Sequence, residues 1–95
     1  TMGARIIGKA HNIMFFISYS FNRADPDDIA NARQALHETN VEVLKLGGVP
    51  WKPELEAQKM IMNKMDPNYL KLFSSIRKLL DPNGIMNPGN WEVEN

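Results

Sequence analysis

The sequence predicts an α+β fold: a small antiparallel sheet of two strands over about residues 5–21, three helices over about 26–46, 54–65 and 67–80, and a turn-rich tail. Three observations predict it. The stretch before Asp25 is dense in β-branched and aromatic residues and holds no proline. Two Asp-Pro steps, Asp25-Pro26 and Asp66-Pro67, each open a run with apolar residues at helical spacing. Proline and glycine then crowd the chain after Leu80. With 95 residues and 43% hydrophobic content there is material for one core, so residues 1–95 read as a single domain.

The strand signal lies in Ile6-Ile7 and again from Ile13 to Phe21, and Gly8-Lys9-Ala10-His11-Asn12 interrupts it with a short polar reversal. Along the second strand Ile13, Phe15, Ile17, Tyr19 and Phe21 share one face, while Met14 and Phe16 are apolar on the other. Such a strand needs cover on both sides at its start. A lone hairpin is marginal in water, so the helices are expected to pack on one side and another chain, or another part of this one, to pair with or cover the rest.

Asp25 can cap free amides, Pro26 suits the first helical position, and Asp27 and Asp28 complement the helix dipole. Ile29, Ala32, Leu36, Val43 and Leu46 follow at helical spacing until Gly47-Gly48 supplies a left-handed stop. Pro50 and Pro53 fix the next loop, and Glu54 to Met65 is helical by propensity. After Asp66-Pro67 the residues Tyr69, Leu72, Phe73, Ile76, Leu79 and Leu80 form an apolar stripe. In the tail, Asp81-Pro82-Asn83-Gly84 has the type I turn pattern and Asn87-Pro88-Gly89-Asn90 the type II pattern, in which Gly89 needs a positive φ. Two rigid turns therefore steer Ile85, Met86 and then Trp91 towards a particular surface.

Composition excludes several functions. Eleven Lys plus Arg against eleven Asp plus Glu leave no formal charge, so a phosphate-reading nucleic-acid partner is not expected. The absence of cysteine removes disulfides, thiolate zinc sites and thiol nucleophiles, and the expected address is cytoplasmic. The longest apolar run, Ile13 to Ile17, is far short of a membrane span. An opening Thr1-Met2 is compatible with a piece cut from a longer protein. His11 and His37 lack a third ligand at metal-site spacing, and Asp27, Asp28, Glu38 and Glu42 read as a solvated helix face. No phosphate-cradling glycine motif and no nucleophile elbow is present. Met60, Met62 and Met65 read as core, whereas Trp51 and Trp91, outside the helices, are suited to docking on a neighbour.

At Leu80-Asp81-Pro82-Asn83-Gly84-Ile85-Met86-Asn87-Pro88-Gly89 the chain resembles the C-terminal signature of the FAD-linked oxidases, the flavoprotein superfamily of vanillyl-alcohol oxidase, 4-cresol dehydrogenase, D-lactate dehydrogenase and glycolate oxidase. There a Leu-Asp-Pro-x-x-Ile-x-x-Pro-Gly-Lys tail returns from the cap domain to the flavin domain. The strands, the Asp-Pro helix from Asp25, Gly47-Gly48 and the last helix occur in the family's order. Two departures matter. Asn90 replaces the family's lysine, and Gly48 runs directly into Val49-Pro50-Trp51, without the Gly-Glu-His-Gly segment of the hydroxy-acid branches. The vanillyl-alcohol and cresol branch also lacks that segment, and the passage from Ile13 to Asp28 resembles that branch somewhat more closely, although Tyr19 and Arg23 are not safe equivalents of its phenol-binding residues.

The resemblance implies the C-terminal cap segment of a flavin-dependent oxidoreductase acting on a hydroxy acid or an aromatic alcohol, inactive alone. It implies FAD in the full-length family, none on this chain by itself, and an FAD-binding domain as partner, in the same or a separate chain. No residue is assigned a catalytic or metal role. Asn87 is the one side chain expected to reach the cofactor region. The exposed sheet predicts a homo-oligomer. The alternative is a standalone oligomeric interaction domain with no catalytic role.

Overall fold

The computed structural model of the chain describes residues 1–92. It contains two antiparallel strands, β1 (Met2–Ile7) and β2 (Asn12–Ile17), followed by three helices, α1 (Pro26–Lys45), α2 (Leu55–Lys64) and α3 (Pro67–Leu80), in the order that the α+β reading requires. The chain divides into two compact units, Thr1–Thr39 and Asn40–Asn95. Among the described residues no helix is long and apolar enough to cross a membrane.

In the first unit β1 and β2 pair in one unbroken register from Met2↔Ile17 to Ile7↔Asn12. Thr1 and Ser18 close the open end by exchanging both main-chain hydrogen bonds, at 3.1 and 2.9 Å. This corrects both strand boundaries. β1 begins at Met2 rather than near residue 5, and β2 stops at Ile17 rather than Phe21. Residues 18–21 keep a strand composition but lie outside the ladder. The reversal is a four-residue loop, Gly8 to His11, in which Gly8, Lys9 and Ala10 all take left-handed backbone, at φ 61°, 56° and 69°. Beyond β2, the Tyr19 hydroxyl hydrogen-bonds the Thr39 hydroxyl on α1. The Asn22 N–H donates to Asp28 Oδ2 at 2.6 Å, and the Asp27 N–H to Asp25 Oδ1 at 3.0 Å, the cap expected of that aspartate.

The hairpin is apolar and open to solvent. Met2, Ile6, Ile13, Phe15 and Ile17 are exposed on one face and Ile7 and Phe16 on the other. Phe16 lies over Gly3, its cross-strand partner, where a β-carbon would collide with the ring. Only glycine admits that stacking.

In the second unit α1 ends in a Schellman motif, with the Gly48 N–H donating to Val43 O at 2.9 Å and the Gly47 N–H to Leu44 O at 3.2 Å. Gly47 takes φ 84°, as the glycine pair predicts, and Leu46 falls just outside the helix. Asn40, buried, donates from Nδ2 to Glu54 Oε1 at 2.8 Å, so Glu54 spends its carboxylate there and gives α2 no side-chain cap. α2 accordingly starts at Leu55. Its Ala57, Ile61 and Met62 are the buried apolar residues of the described chain. Asp66 caps α3 through the Asn68 N–H at 2.7 Å with Pro67 in the first turn. The stripe on α3 behaves differently from a core stripe. Phe73 is half-buried, whereas Tyr69, Leu72, Ile76, Leu79 and Leu80 remain exposed.

Candidate functional site

The signature after Leu80 folds as a hook on the end of α3. Asp81 begins it: its N–H donates to Arg77 O at 2.8 Å, and its carboxylate accepts from the N–H groups of Ile85 at 3.0 Å and Met86 at 2.8 Å. The Met86 N–H is the main reason its carboxyl stays below the ordinary aspartate value; partial burial works against this, and Ile85, the Arg77 guanidinium and Gly84 add to it. Gly84 N–H returns to Asp81 O at 3.2 Å and closes the first turn. The second closes where Asn90 N–H donates to Asn87 O at 3.2 Å, with Gly89 at φ 83°. Both turns are those read from the sequence.

Two side chains of the helices hold the hook from behind. Arg77, half-buried on α3, donates from Nη1 to the carbonyls of Asn90 and Trp91, and from Nη2 to those of Met86 at 3.4 Å and Asn87 at 3.2 Å. Gln58, buried on α2, accepts the Trp91 N–H on Oε1 at 2.9 Å and donates from Nε2 to Pro53 O and Asn90 Oδ1, each at 3.1 Å. Neither residue was singled out from the sequence. A polar side chain within an apolar helical stripe was the available signal in both cases.

The hook borders two adjoining cavities. One, of about 220 Å³, is lined by Met62, Met65, Tyr69, Leu70, Phe73 and Trp91. The other, of about 330 Å³, lies between the α3 end and the tail and includes Ile76, Arg77, Met86 and Asn87. Trp91 and Phe73 line both. The tip of the hook is exposed at Ile85, Met86 and Asn87, whereas Trp91 is half-buried against α2 and α3. Asn87 sits in left-handed backbone at φ 46°, a conformation asparagine tolerates better than most residues.

The other candidates lie elsewhere. His11 is exposed in the hairpin loop, His37 is half-buried on α1, and the hydroxyl of Tyr19 is taken up by Thr39. Trp51 is exposed, with Lys52 Nζ 4.9 Å from the centre of its ring. Among the described residues no group of three His, Cys, Asp or Glu could hold a metal ion. As a seat for FAD the hook is incomplete, because Arg77, the one cation bordering the larger cavity, is committed to main-chain carbonyls.

Compared with known proteins, residues 7–91 match the family model described as FAD linked oxidases, C-terminal domain. No curated protein and no solved structure matches the chain.

Proposed function

The chain belongs to the family of C-terminal domains of FAD-linked oxidases, and from that membership we propose that residues 1–95 are the C-terminal cap segment of a flavin-dependent oxidoreductase, working with an FAD-binding domain and inactive alone. The oxidation chemistry belongs to the flavin and its own domain. This chain supplies wall and orientation. One observation supports the reading best: Arg77 and Gln58 fix the hook from behind while its tip, Ile85, Met86 and Asn87, is left exposed. A preorganised, solvent-facing tip is what a docking element needs, since the cost of ordering it is met before association. The substrate is a hydroxy acid or an aromatic alcohol, and the direct passage of Gly48 into Val49-Pro50-Trp51, without a Gly-Glu-His-Gly segment, is the feature that favours the alcohol.

Two measurements test this. The chain mixed with excess FAD and desalted should keep no yellow chromophore; near-stoichiometric retention overturns the reading. In a flavoprotein containing this segment, Asn87→Gly keeps the left-handed backbone and removes only the side chain. Lower flavin content and turnover with unchanged melting temperature are expected. Unchanged values would leave Asn87 as a turn residue. The exposed apolar hairpin favours the second reading, a standalone oligomeric interaction domain, which predicts that an FAD-binding domain never co-purifies with the chain.

A further inference from the structure

Independently of the flavin reading, we propose that the outer edge of β2 pairs antiparallel with the same edge of a second copy of this chain. The direction of its backbone groups follows from the register. Thr1 and Ser18 exchange both hydrogen bonds, so along an antiparallel ladder the bonded pairs are Gly3↔Phe16, Arg5↔Met14 and Ile7↔Asn12. The N–H and C=O groups of Ile13, Phe15 and Ile17 therefore point away from β1. Within the first unit no backbone group pairs with them.

Edges of this kind are usually protected by proline, by charge, by a bulge or by shortness. β2 has no proline, no charged residue and no bulge over its six residues. The argument for a second copy as the occupant is one of complementarity. Centred on Phe15, a two-fold pairing sets Phe15 opposite Phe15 and Ile13 opposite Ile17 on one face, with Met14 opposite Phe16 on the other. Aromatic and β-branched cross-strand pairs of this kind stabilise a sheet, and none of them sets like charges against each other. An acidic or basic partner strand would find no counter-charge on β2. The whole chain carries eleven cationic and eleven anionic side chains, so two copies approach without net repulsion. β1 is the poorer edge, because Arg5 would lie close to its own copy across a two-fold. The product is a four-stranded sheet, past the size at which a hairpin is marginal.

The test is sedimentation of the chain from micromolar to submillimolar concentration, together with residue-resolved amide exchange over the same range. The apparent mass should double as concentration rises. Exchange at Ile13, Phe15 and Ile17 should slow by about tenfold or more in the dimer, while Met14 and Phe16, already bonded to β1, change little. Phe15→Pro removes an outward donor without touching the β1 ladder and should hold the chain monomeric. Should that variant lose the hairpin, Phe15→Lys sets two cations opposite each other at an exposed position and gives the same readout. A chain monomeric throughout, a dimer that survives both variants, or protection falling on Met2, Ala4 and Ile6 would each overturn the proposal. None of these outcomes bears on FAD retention.

Discussion

Gln58 on α2 and Trp91 in the tail meet across 33 residues of sequence, the buried side-chain oxygen of one accepting the backbone N–H of the other at 2.9 Å. The same amide donates to Asn90 Oδ1 and Pro53 O, so all the polar capacity of Gln58 faces the tail or the loop before α2. Its burial is tolerable only because both ends are satisfied.

Gln58→Met keeps the length of the side chain and removes both functions. The Trp91 N–H would then lose its partner, and the expected loss is about 1–3 kcal/mol. Urea denaturation followed by tryptophan fluorescence measures it. A loss below about 0.5 kcal/mol, within the range of ordinary surface substitutions, would show that the amide is not what anchors Trp91.

Arg77 works by shape as much as by charge. Its planar fork reaches four carbonyls, those of Met86, Asn87, Asn90 and Trp91, from one position on α3. Lysine carries the same charge on a single nitrogen and cannot span them. Arg77→Lys should therefore loosen the hook while leaving the helix intact, seen as faster amide exchange at Ile85, Met86 and Asn90 with unchanged helical circular dichroism. Equal exchange in the two proteins would refute the clasp.

The helix boundaries were legible because they depend on local chemistry: Asp25-Pro26 and Asp66-Pro67 start helices, Gly47-Gly48 stops one, and each of these motifs acts within a few residues of itself. The tail turns were legible for the same reason. The clasp was not, since Gln58 and Arg77 acquire their roles only when residues 32 and 13 positions away fold back on them. Yet both leave a trace in the pattern. Gln58 stands with Ala57, Ile61 and Met62 on the inward side of α2, and Arg77 follows Phe73 by four residues along the α3 stripe. The end of β2 could not be read from composition, because Ser18 to Phe21 are as strand-like as what precedes them and a ladder ends where cross-strand pairing ends, not where local propensity does.

Two positions with left-handed backbone give predictions of opposite sign. Ala10 takes φ 69° and gains nothing from its β-carbon there, so Ala10→Gly should stabilise the first unit by about 1 kcal/mol. Gly89 takes φ 83° at the third position of its turn, so Gly89→Ala should destabilise by a similar amount, on the order of 1 kcal/mol, although open space surrounds it. Thermal unfolding of both variants tests the pair. Identical signs would contradict the backbone geometry.

The hook should also respond to acid, through Asp81. The Met86 N–H, first among the groups on its carboxylate, favours the ionised form, with Ile85, Arg77 and Gly84 acting in the same direction against partial burial. The folded pKa therefore lies below the unfolded one. In that case the contribution to stability is fully present above the unfolded value, about 3.9 for an aspartate, and is lost as pH falls through the lower folded value. From pH 5 to 8 Asp81 should confer no pH dependence on the tail. As pH falls through that folded value, which lies below the ordinary aspartate one, the Ile85 and Met86 amides should lose their ionised acceptor and exchange more freely relative to amides within α3. Asp81→Asn removes the charge at every pH, so the acid-dependent part of that change should vanish in it. A carboxyl of Asp81 that titrates at or above the ordinary aspartate value by nuclear magnetic resonance would refute this account of how the hook is held.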